Sequence, residues 1–300
     1  MNYSANIPTS NSSISEQNAG QQAFHRSNLL ATATGKTVAA QPFSFKNLVN
    51  DAPATRYVVR EPRNVQELES LLRLRYREFQ PHGMIAENPY ALDLDYFDQN
   101  AYHVGLFREE NGVSTAIGSM RMVISTPTRF QPMIQEIAAQ ASCLMQKLAE
   151  TPLKPLPLFN YAPFPEALKE FWSEAQRQGH GVFEGSRFCI QKEASNTGLA
   201  TFLLEGANAI SAHRLPNYIW CNAVTTRHEA CYSRSGYRRI SRTGCFDHPH
   251  GQACVLHASM GTLPLEKRLR IEKMQSQFEA HGSICMQNKT IQNFKNNHQA

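Results

Sequence analysis

Apolar residues recur along this chain at two spacings, which predict alternating strands and helices. Short apolar or alternating runs predict β-strands at residues 56–60, 102–107, 117–124, 181–191, 218–224, 237–242 and 252–259. Apolar residues three and four apart predict α-helices at residues 64–79, 131–150, 165–178, 196–213 and 263–280, with a short helix opened by Thr226-x-x-Glu229. No internal repeat interrupts this order.

Local signals place the ends of several of these elements. Asn64-x-x-Glu67 is a capping-box signature that opens the first helix, and Pro81 and Gly83 end it. The dipeptide at residues 111–112, Asn-Gly, predicts a tight hairpin. The first half of the chain thus contains antiparallel strands, whereas strands and helices alternate in the second half. This order predicts an α+β fold, an α/β sandwich with a mixed central sheet and helices on both faces.

Changes in composition divide the chain into regions. Residues 1–54 are rich in Ser, Asn, Gln, Ala and Thr and hold few large apolar residues, so we expect a disordered N-terminal extension. We expect the folded domain at residues 55–260, with a proline-rich helical insertion at 126–180. Residues 261–300 should form a C-terminal helix and a polar tail, disordered from residue 283.

Composition and charge exclude several classes of protein. The hydrophobic fraction of 41% suffices for a sizeable core, and the net charge of +5 allows an acidic partner without indicating nucleic acid. No apolar run approaches the roughly 20 residues of a membrane span, and the N-terminus lacks the pattern of a secretory signal. Seven widely spaced cysteines predict free thiols in a reducing cytoplasm. We expect no metal; His248, His250 and Cys254 come nearest to zinc-ligand spacing.

The segment at residues 183–188, Phe-Glu-Gly-Ser-Arg-Phe, places two opposite charges inside an apolar run. A regular strand would put Glu184 and Arg187 on opposite faces, whereas a bulge at Gly185 could bring both to one side. Charges in a buried strand are costly and are usually paired or functional. This segment is therefore the first candidate for a functional site.

The order of these charges resembles the signature of the acyl-homoserine-lactone synthases. The motifs that carry this likeness are Arg75-x-x-x-Phe79, Asp95-x-x-Asp98, Arg121 and Glu184-x-x-Arg187. The stretch at residues 98–103, Asp-Gln-Asn-Ala-Tyr-His, looks equally like the long-chain N-acyl amino acid synthases, relatives of the PEP-CTERM/exosortase-type acyltransferases. Those enzymes also carry a longer insertion before the Glu-x-Ser-Arg element. The resemblance covers about residues 56–242 and implies the GNAT acyltransferase fold, with the acyl chain taken from an acyl-carrier-protein thioester.

The chain departs from the lactone synthases in three places. Its loop at residues 80–90 has no tryptophan, although those enzymes usually carry one there. Their Arg-Leu-x-Pro-Thr element appears only as the looser Arg-Met-Val-Ile-Ser-Thr-Pro-Thr at residues 121–128, and the insertion before Glu184 is long. These differences favour an amine acceptor other than that of the lactone synthases.

The chemistry of thioester aminolysis suggests roles for the charged residues. An amine attacks a thioester only as the free base, and Glu184 could take its proton directly or through one water. Arg121 and Arg187 could stabilise the developing oxyanion or grip the acceptor's carboxylate. The residues expected to bind the acceptor are Arg75, Phe79, Asp95, Asp98 and Ser186. The two aspartates could orient an ammonium group or pair with the arginine, and the alternative is a structural salt-bridge network.

The resemblance also implies residues for the acyl donor. Asn196, Thr197 and Gly198 begin a helix whose backbone N–H groups could bind a pyrophosphate or pantetheine arm, or form an ordinary N-cap. Tyr232 matches a tyrosine that can protonate the departing thiolate, or is a packed core residue. A basic cluster could dock an acidic carrier protein or be a solvated face; its members are Arg234, Arg238, Arg239 and Arg242.

The sequence therefore predicts a cytoplasmic N-acyltransferase without a permanently bound cofactor. Acyl-carrier protein or CoA would deliver a fatty acyl group to a small amine acceptor, an amino acid or a molecule like one. One alternative is an acyl-homoserine-lactone synthase that uses S-adenosylmethionine to make a quorum-sensing signal. A second alternative is a non-catalytic acyl-binding sensor on the same fold.

Overall fold

The computed structural model describes seven stretches of the chain, residues 55–125, 131–149, 155–160, 165–195, 198–240, 244–248 and 251–286. The predicted N-terminal extension lies outside these residues, and so do Asn196, Thr197, Arg242 and His250.

One mixed sheet of nine strands organises the described residues. The strands are β1 (Arg56–Arg60), β2 (Ala101–Glu110), β3 (Val113–Ile124), β4 (Gly181–Ile190), β5 (Tyr218–Thr225), β6 (Arg238–Arg239), β7 (Cys245–His248), β8 (Gly251–Ala258) and β9 (Ile284–Cys285). They follow the order β6-β8-β5-β4-β3-β2-β1-β9, and β7 also pairs with β8. Neighbours are antiparallel except β4 and β5, which are parallel. The predicted α+β fold with a mixed sheet is thus confirmed.

Helices cover both faces of this sheet, as predicted. They are α1 (Val65–Phe79), α2 (Pro132–Ala138), α3 (Ser142–Ala149), α4 (Pro165–Arg177), α5 (Leu199–Arg214), α6 (Glu229–Arg234) and α7 (Leu265–His281). Helices α5 and α7 pack on the face that carries Met122, Phe183 and Trp220. Helix α1 and the insertion helices α2 to α4 lie on the opposite face, which carries Val123 and Val182. We call these the α5 face and the insertion face.

The start of α1 uses only half of the predicted capping box. The Asn64 side chain accepts a hydrogen bond of 2.9 Å from the Glu67 amide, as expected of an N-cap. The Glu67 side chain does not return to Asn64; it accepts from the Arg63 amide at 2.7 Å and pairs with the buried Arg60. The buried cation competes for this carboxylate because an unpaired buried charge would be costly.

The predicted helix over residues 131–150 is two helices. Helices α2 and α3 are separated at residues 139–141, and both place apolar residues in one cluster with Leu68 and Leu72 of α1. A straight helix of that length would extend about 30 Å. The bend lets Ile134 of α2 and Leu144 of α3 pack in the same apolar cluster against α1.

Two short strands and one helix start were predicted wrongly. Strand β7 was missed, and β9 lies in the segment predicted to be a disordered tail. Ile284 in β9 is buried and pairs with Val59, so tertiary packing overrides the polar composition around it. Helix α6 begins after His228 and makes no side-chain cap at its start, so Thr226-x-x-Glu229 does not act as a capping box.

Candidate active site

Strands β4 and β5 part in the middle of the sheet. Their parallel pairing runs from Gly181 opposite Tyr218 to Glu184 opposite Cys221, although both strands continue beyond it. Gly185 comes just after the last pair. Its carbonyl accepts a hydrogen bond of 2.7 Å from the Asn222 side-chain amide, in place of a backbone N–H of β5. A Cβ at residue 185 would collide with that amide and with the Met120 methyl group, so a larger residue here would have to displace both side chains. We call this opening the β4–β5 seam.

The bulge that the sequence predicted in β4 lies further along than Gly185. Ser119 pairs with Cys189 and Arg121 with Ser186, so three steps of β4 oppose two of β3. Arg187 lies inside this bulge with φ of 52°, a left-handed conformation that is uncommon for residues other than glycine. Gly185 itself is regularly paired with Met122. The prediction that a bulge acts here is right, but its position at Gly185 is wrong, because β3 keeps Gly185 in register.

Glu184 is a buried carboxyl at the seam. It pairs with Val123 across β3, which puts its side chain on the insertion face. Its Oε2 accepts a 2.6 Å hydrogen bond from the backbone N–H of Leu158, in a 3-10 turn of the insertion. Burial raises the pKa of Glu184 to about 8, while the Leu158 N–H, Arg121 and Arg187 act in the opposite direction. A carboxyl with this pKa can exchange a proton near neutral pH.

Three arginines and three aspartates meet beside Glu184 on the insertion face. Arg75 of α1 binds Asp93 at 2.7 Å and Asp98 at 2.8 Å. Arg121 of β3 binds Asp95 at 2.6 Å and Asp98 at 3.1 Å, and its Nε donates to the Ser186 hydroxyl at 3.0 Å. The network therefore joins a helix, two strands and the 3-10 turn Tyr96–Asn100.

The aspartates hold their own turn as well as the arginines. The Asp95 side chain accepts from the Phe97 amide at 2.9 Å, and Asp98 accepts from the Asp95 amide at 2.8 Å. This is a reciprocal capping box. From the sequence, these residues were expected only to form a polar loop, and the capping box was not predicted. Both carboxylates are thereby held in place by their own turn.

The deepest members of the network stay charged because they face one another. Burial opposes the charge of Asp98, but Arg75 and Arg121 outweigh it and hold the pKa of Asp98 well below its usual range. Burial likewise opposes the charge of Arg75, and Asp93 and Asp98 outweigh it and raise its pKa. Arg75 and Asp98 have no exposed side-chain surface, so they hold the partly exposed members of the network in place from within the protein interior.

Arg187 and Asp95 are the open end of the network. Their side chains are 23% and 33% exposed, and Arg187 Nη2 lies 3.5 Å from Asp95. Arg187 Nε lies 2.9 Å from Asp93 but makes no hydrogen bond of good geometry. Its guanidinium carbon lies 5.8 Å from the centre of the Phe79 ring. The Arg187 guanidinium is therefore held mainly by charge and by the face of the Phe79 ring. Its Nε is buried, so the N–H donors left available to a ligand are those of the two Nη atoms.

Tyr232 lies on the other side of the sheet from Glu184. It is buried on the α5 face, where its ring packs edge-on against Phe188 of β4 at 5.9 Å and against Tyr237 at 5.3 Å. Burial raises the pKa of Tyr232, and a negative charge on Glu184 would raise it further, so the phenol carries its proton at neutral pH. The two residues thus approach the seam from opposite faces.

The predicted donor-binding residues are only partly described. Gly198 is the residue before α5 and has φ of 80°, and no side chain caps this helix start. Exposed guanidinium groups of Arg234 and Arg238 lie near the end of α6 and on β6. Arg239 is instead held by Glu229, with two contacts of 2.6 Å.

Three residues of the site were not selected from the sequence. Asp93 lies in the same polar loop as Asp95 and Asp98, two residues before Asp95. This close spacing of acidic residues could have indicated that Asp93 belongs to the same site. Leu158 contributes a backbone N–H, which no side-chain pattern reveals. Asn222 lies in an apolar strand, and a single polar side chain in such a strand could have indicated a functional position. Its Oδ1 has no hydrogen-bond partner among the described residues.

Metal-ligating side chains do not gather anywhere in the part of the chain that the structure describes. No group of three or more His, Cys, Asp or Glu residues has a suitable arrangement there. All seven cysteines are free thiols. None of the helices in the described ranges combines the length and apolarity needed to cross a bilayer.

Solved structures similar to this chain include members of both enzyme groups that its motifs resemble. FeeM, an N-acyl amino acid synthase from uncultured soil microbes, matches with 15% identity and a TM-score of 0.46, over 72% of this chain and 99% of that one. MesI, a CoA-dependent acyl-homoserine lactone synthase, matches with 16% identity and a TM-score of 0.42, over 70% and 88%. An acyl-CoA N-acyltransferase from Pseudomonas aeruginosa matches with 13% identity and a TM-score of 0.39, over 68% and 99%.

No protein-family model matches the sequence, and no curated protein does either.

Proposed function

We propose that this protein is an N-acyltransferase that moves a fatty acyl group from a carrier thioester to the amine of an amino acid or a similar acceptor. One observation carries the proposal: a buried carboxyl with a pKa of about 8, Glu184, lies where β4 and β5 part. Partly exposed Arg187 and Asp95 lie on the same face of the sheet, and Tyr232 approaches from the other. A base, an acid and a charged acceptor site therefore surround one opening.

The acceptor would bind at the open end of the network. Arg187 can hold a carboxylate through two parallel N–H donors, a geometry that arginine favours. Asp95, whose side chain is 33% exposed, can receive the ammonium group of the same molecule. An α-amino acid carries both charged groups on the same carbon atom. This pairing therefore supports an amino-acid-like acceptor, and it fits S-adenosylmethionine as well as a free amino acid.

The chemistry balances when the acceptor reacts as the free amine, its ammonium proton already lost to solvent. As the nitrogen attacks the thioester carbon, Glu184 takes the one further proton that the nitrogen must lose to become an amide. The C–N bond forms, the tetrahedral oxyanion collapses and the C–S bond breaks. Tyr232 gives its proton to the departing thiolate, which leaves as the carrier thiol. Arg187 and Arg121 supply positive charge beside the developing oxyanion.

The seam would accept the arm that carries the thioester. Beyond Glu184 the β5-facing edge of β4 lacks strand partners, and buried Asn222 Oδ1 has no hydrogen-bond donor among the described residues. An arm with amide groups, such as pantetheine, can pair with such backbone and side-chain groups. The same arm occurs in acyl-carrier protein and in CoA, so the seam fits both donors. Gly198 at the start of α5 adds N–H groups that suit a phosphate.

The direct test is turnover by the purified protein. Acyl-carrier-protein and CoA thioesters of several chain lengths are incubated with the twenty amino acids, and separately with S-adenosylmethionine, and products are identified by mass spectrometry. A product of mass acyl plus amino acid supports the proposal, and an acyl-homoserine lactone supports the synthase that uses S-adenosylmethionine. Glu184→Gln, matched in shape, is the control for background aminolysis. Acyl binding without turnover in every combination would instead support a sensor.

A further inference from the structure

We propose that the backbone N–H of Leu158 is a positioning group for Glu184, so that the insertion completes the active site. The inference rests on the role proposed for Glu184 as the base. The bond from Leu158 N to Glu184 Oε2 is 2.6 Å long and buried. A short bond from a neutral donor to a carboxyl oxygen fixes the orientation of that carboxyl group and stabilises its charged form.

The turn that supplies this donor is firmly anchored. Leu156 and Leu158 are buried in one apolar cluster with Val182 and Cys221 of the sheet. Pro157 begins the 3-10 turn Pro157–Asn160 with its φ already set. Phe159 packs edge-on against Trp172 of α4, with ring centres 5.7 Å apart. The apolar side chains therefore hold the Leu158 N–H in place, while the N–H itself faces Glu184.

No other donor of the described residues competes for this role. The bond from Leu158 is the only hydrogen bond that the Glu184 side chain receives within the described part of the chain. Arg121 and Arg187 act on it through space, and no ion pair of 4.0 Å or less joins either one to Glu184. Since Oε2 is engaged, Oε1 is left to receive the proton of the acceptor amine.

Several charged or titratable groups on the elements packed around Glu184 also affect its pKa. The effect of the Leu158 N–H must therefore be separated from theirs. Arg121 on β3 and Arg187 on β4 favour its ionised form, whereas Asp95 disfavours it. Two further groups sense its charge, Cys221 opposite it on β5 and Tyr232 on α6. All of these remain when the Leu158 N–H alone is removed. The difference between a variant that lacks that N–H and one that keeps it therefore reports the contribution of the N–H.

Two variants separate the N–H from the side chain. Leu158→Pro removes the donor, and Leu158→Ala keeps the donor but loses packing. We expect Leu158→Pro to move the midpoint of the pH dependence of kcat/KM upward by about one to two units, as for one hydrogen bond to a charged group. Activity near pH 7.5 should fall about 10- to 100-fold and recover at higher pH. Leu158→Ala should keep the midpoint of the unaltered protein.

A second measurement needs no catalysis and no proline. In full-length protein labelled with ¹⁵N-leucine, the Leu158 amide signal is assigned by its disappearance in Leu158→Ala. We expect its chemical shift to titrate with a midpoint near the pKa of Glu184, about 8, and to stop titrating in Glu184→Gln. An amide that does not titrate, or titrates unchanged in Glu184→Gln, overturns the proposal. So does a folded Leu158→Pro with an unaltered pH midpoint. If the amide titrates but no acyl transfer occurs with any donor, the contact stands and the proposed function fails.

Discussion

Arg121 and Asp98 lie 3.1 Å apart with almost no exposed surface, and this contact joins β3 to the 3-10 turn that borders the site. Asp98 also binds Arg75 of α1, so one carboxylate lies between two buried guanidinium groups. Removing one partner of such a set leaves charge buried without compensation, which costs more than the intact pairs contribute. The network is therefore most vulnerable at Asp98.

Asp98→Asn should destabilise the protein by about 3–5 kcal/mol, because it leaves Arg75 and Arg121 short of negative charge. Asp95→Asn is the matched control. Asp95 also binds Arg121, but its side chain is 33% exposed, so water can replace part of the interaction and we expect a loss of about 1 kcal/mol. Urea denaturation of both variants at pH 7 measures the difference. Equal losses would show that burial of Asp98 does not set its contribution.

Glu184→Gln should reduce acyl transfer by about 10²- to 10⁴-fold, the usual contribution of a positioned general base. The amide keeps the shape of the carboxyl, and its oxygen can still accept from Leu158. Steady-state turnover and circular dichroism should be measured on the same preparation. A folded Glu184→Gln with unchanged turnover would remove Glu184 from the mechanism.

The same substitution should stabilise the protein at alkaline pH. The pKa of Glu184 is raised from 4.5 to about 8 in the folded state. Between these values the unfolded chain has lost the proton that the folded protein keeps, so stability falls as pH rises through this window. The loss is on the order of 4 kcal/mol by pH 8 and is absent below pH 4. Glu184→Gln cannot ionise and should not show it.

The measurement is denaturant unfolding at pH 5 and pH 8 for both proteins. Other groups titrate in this window too, so the informative quantity is the difference between the two proteins. We expect Glu184→Gln to gain stability relative to the unaltered chain from pH 5 to pH 8. A constant difference would show that the pKa of Glu184 is not raised in the folded state.

Arg187→Ala should raise KM for the acceptor about 10- to 100-fold with a smaller effect on kcat, because the proposed function has Arg187 bind the acceptor's carboxylate both before and during the reaction. Arg187→Lys should recover only part of the loss, since a lysine cannot form the bidentate pair. Arg73→Ala is the charge-matched control; Arg73 of α1 pairs with Glu69, and its side chain is 49% exposed. An acceptor ester that lacks the carboxylate should respond little to Arg187→Ala, and an equal response would contradict this role.

The fold was largely predictable from the sequence because its elements carry their own patterns. Asn111 and Gly112 both have positive φ, as their hairpin requires, and α1 begins at its predicted cap. The charged residues could be selected because Glu184 and Arg187 interrupt an apolar strand. The Leu158 N–H and the bulge position could not be predicted, because a backbone donor has no residue type and register depends on pairing with β3. Strand β9 was missed because two residues carry no periodicity.

The last prediction concerns the acyl donor. If an acidic carrier protein delivers the acyl chain, exposed basic residues of α6 and β6 should steer its approach. Arg234 and Arg238 are exposed, whereas Arg239 already binds Glu229 at 2.6 Å, so the double variant Arg234→Glu and Arg238→Glu tests the surface without breaking that pair. We expect a higher KM for acyl-carrier protein and an unchanged rate with a small acyl thioester. The effect should shrink as salt rises, since exposed charges are screened over about 8–10 Å at physiological ionic strength.

The charge-matched control is the double variant Arg63→Glu and Arg108→Glu, at two exposed sites near β1 and on β2. Equal losses with both donors would point to a folding defect, and no loss with either would make the surface an ordinary solvated face.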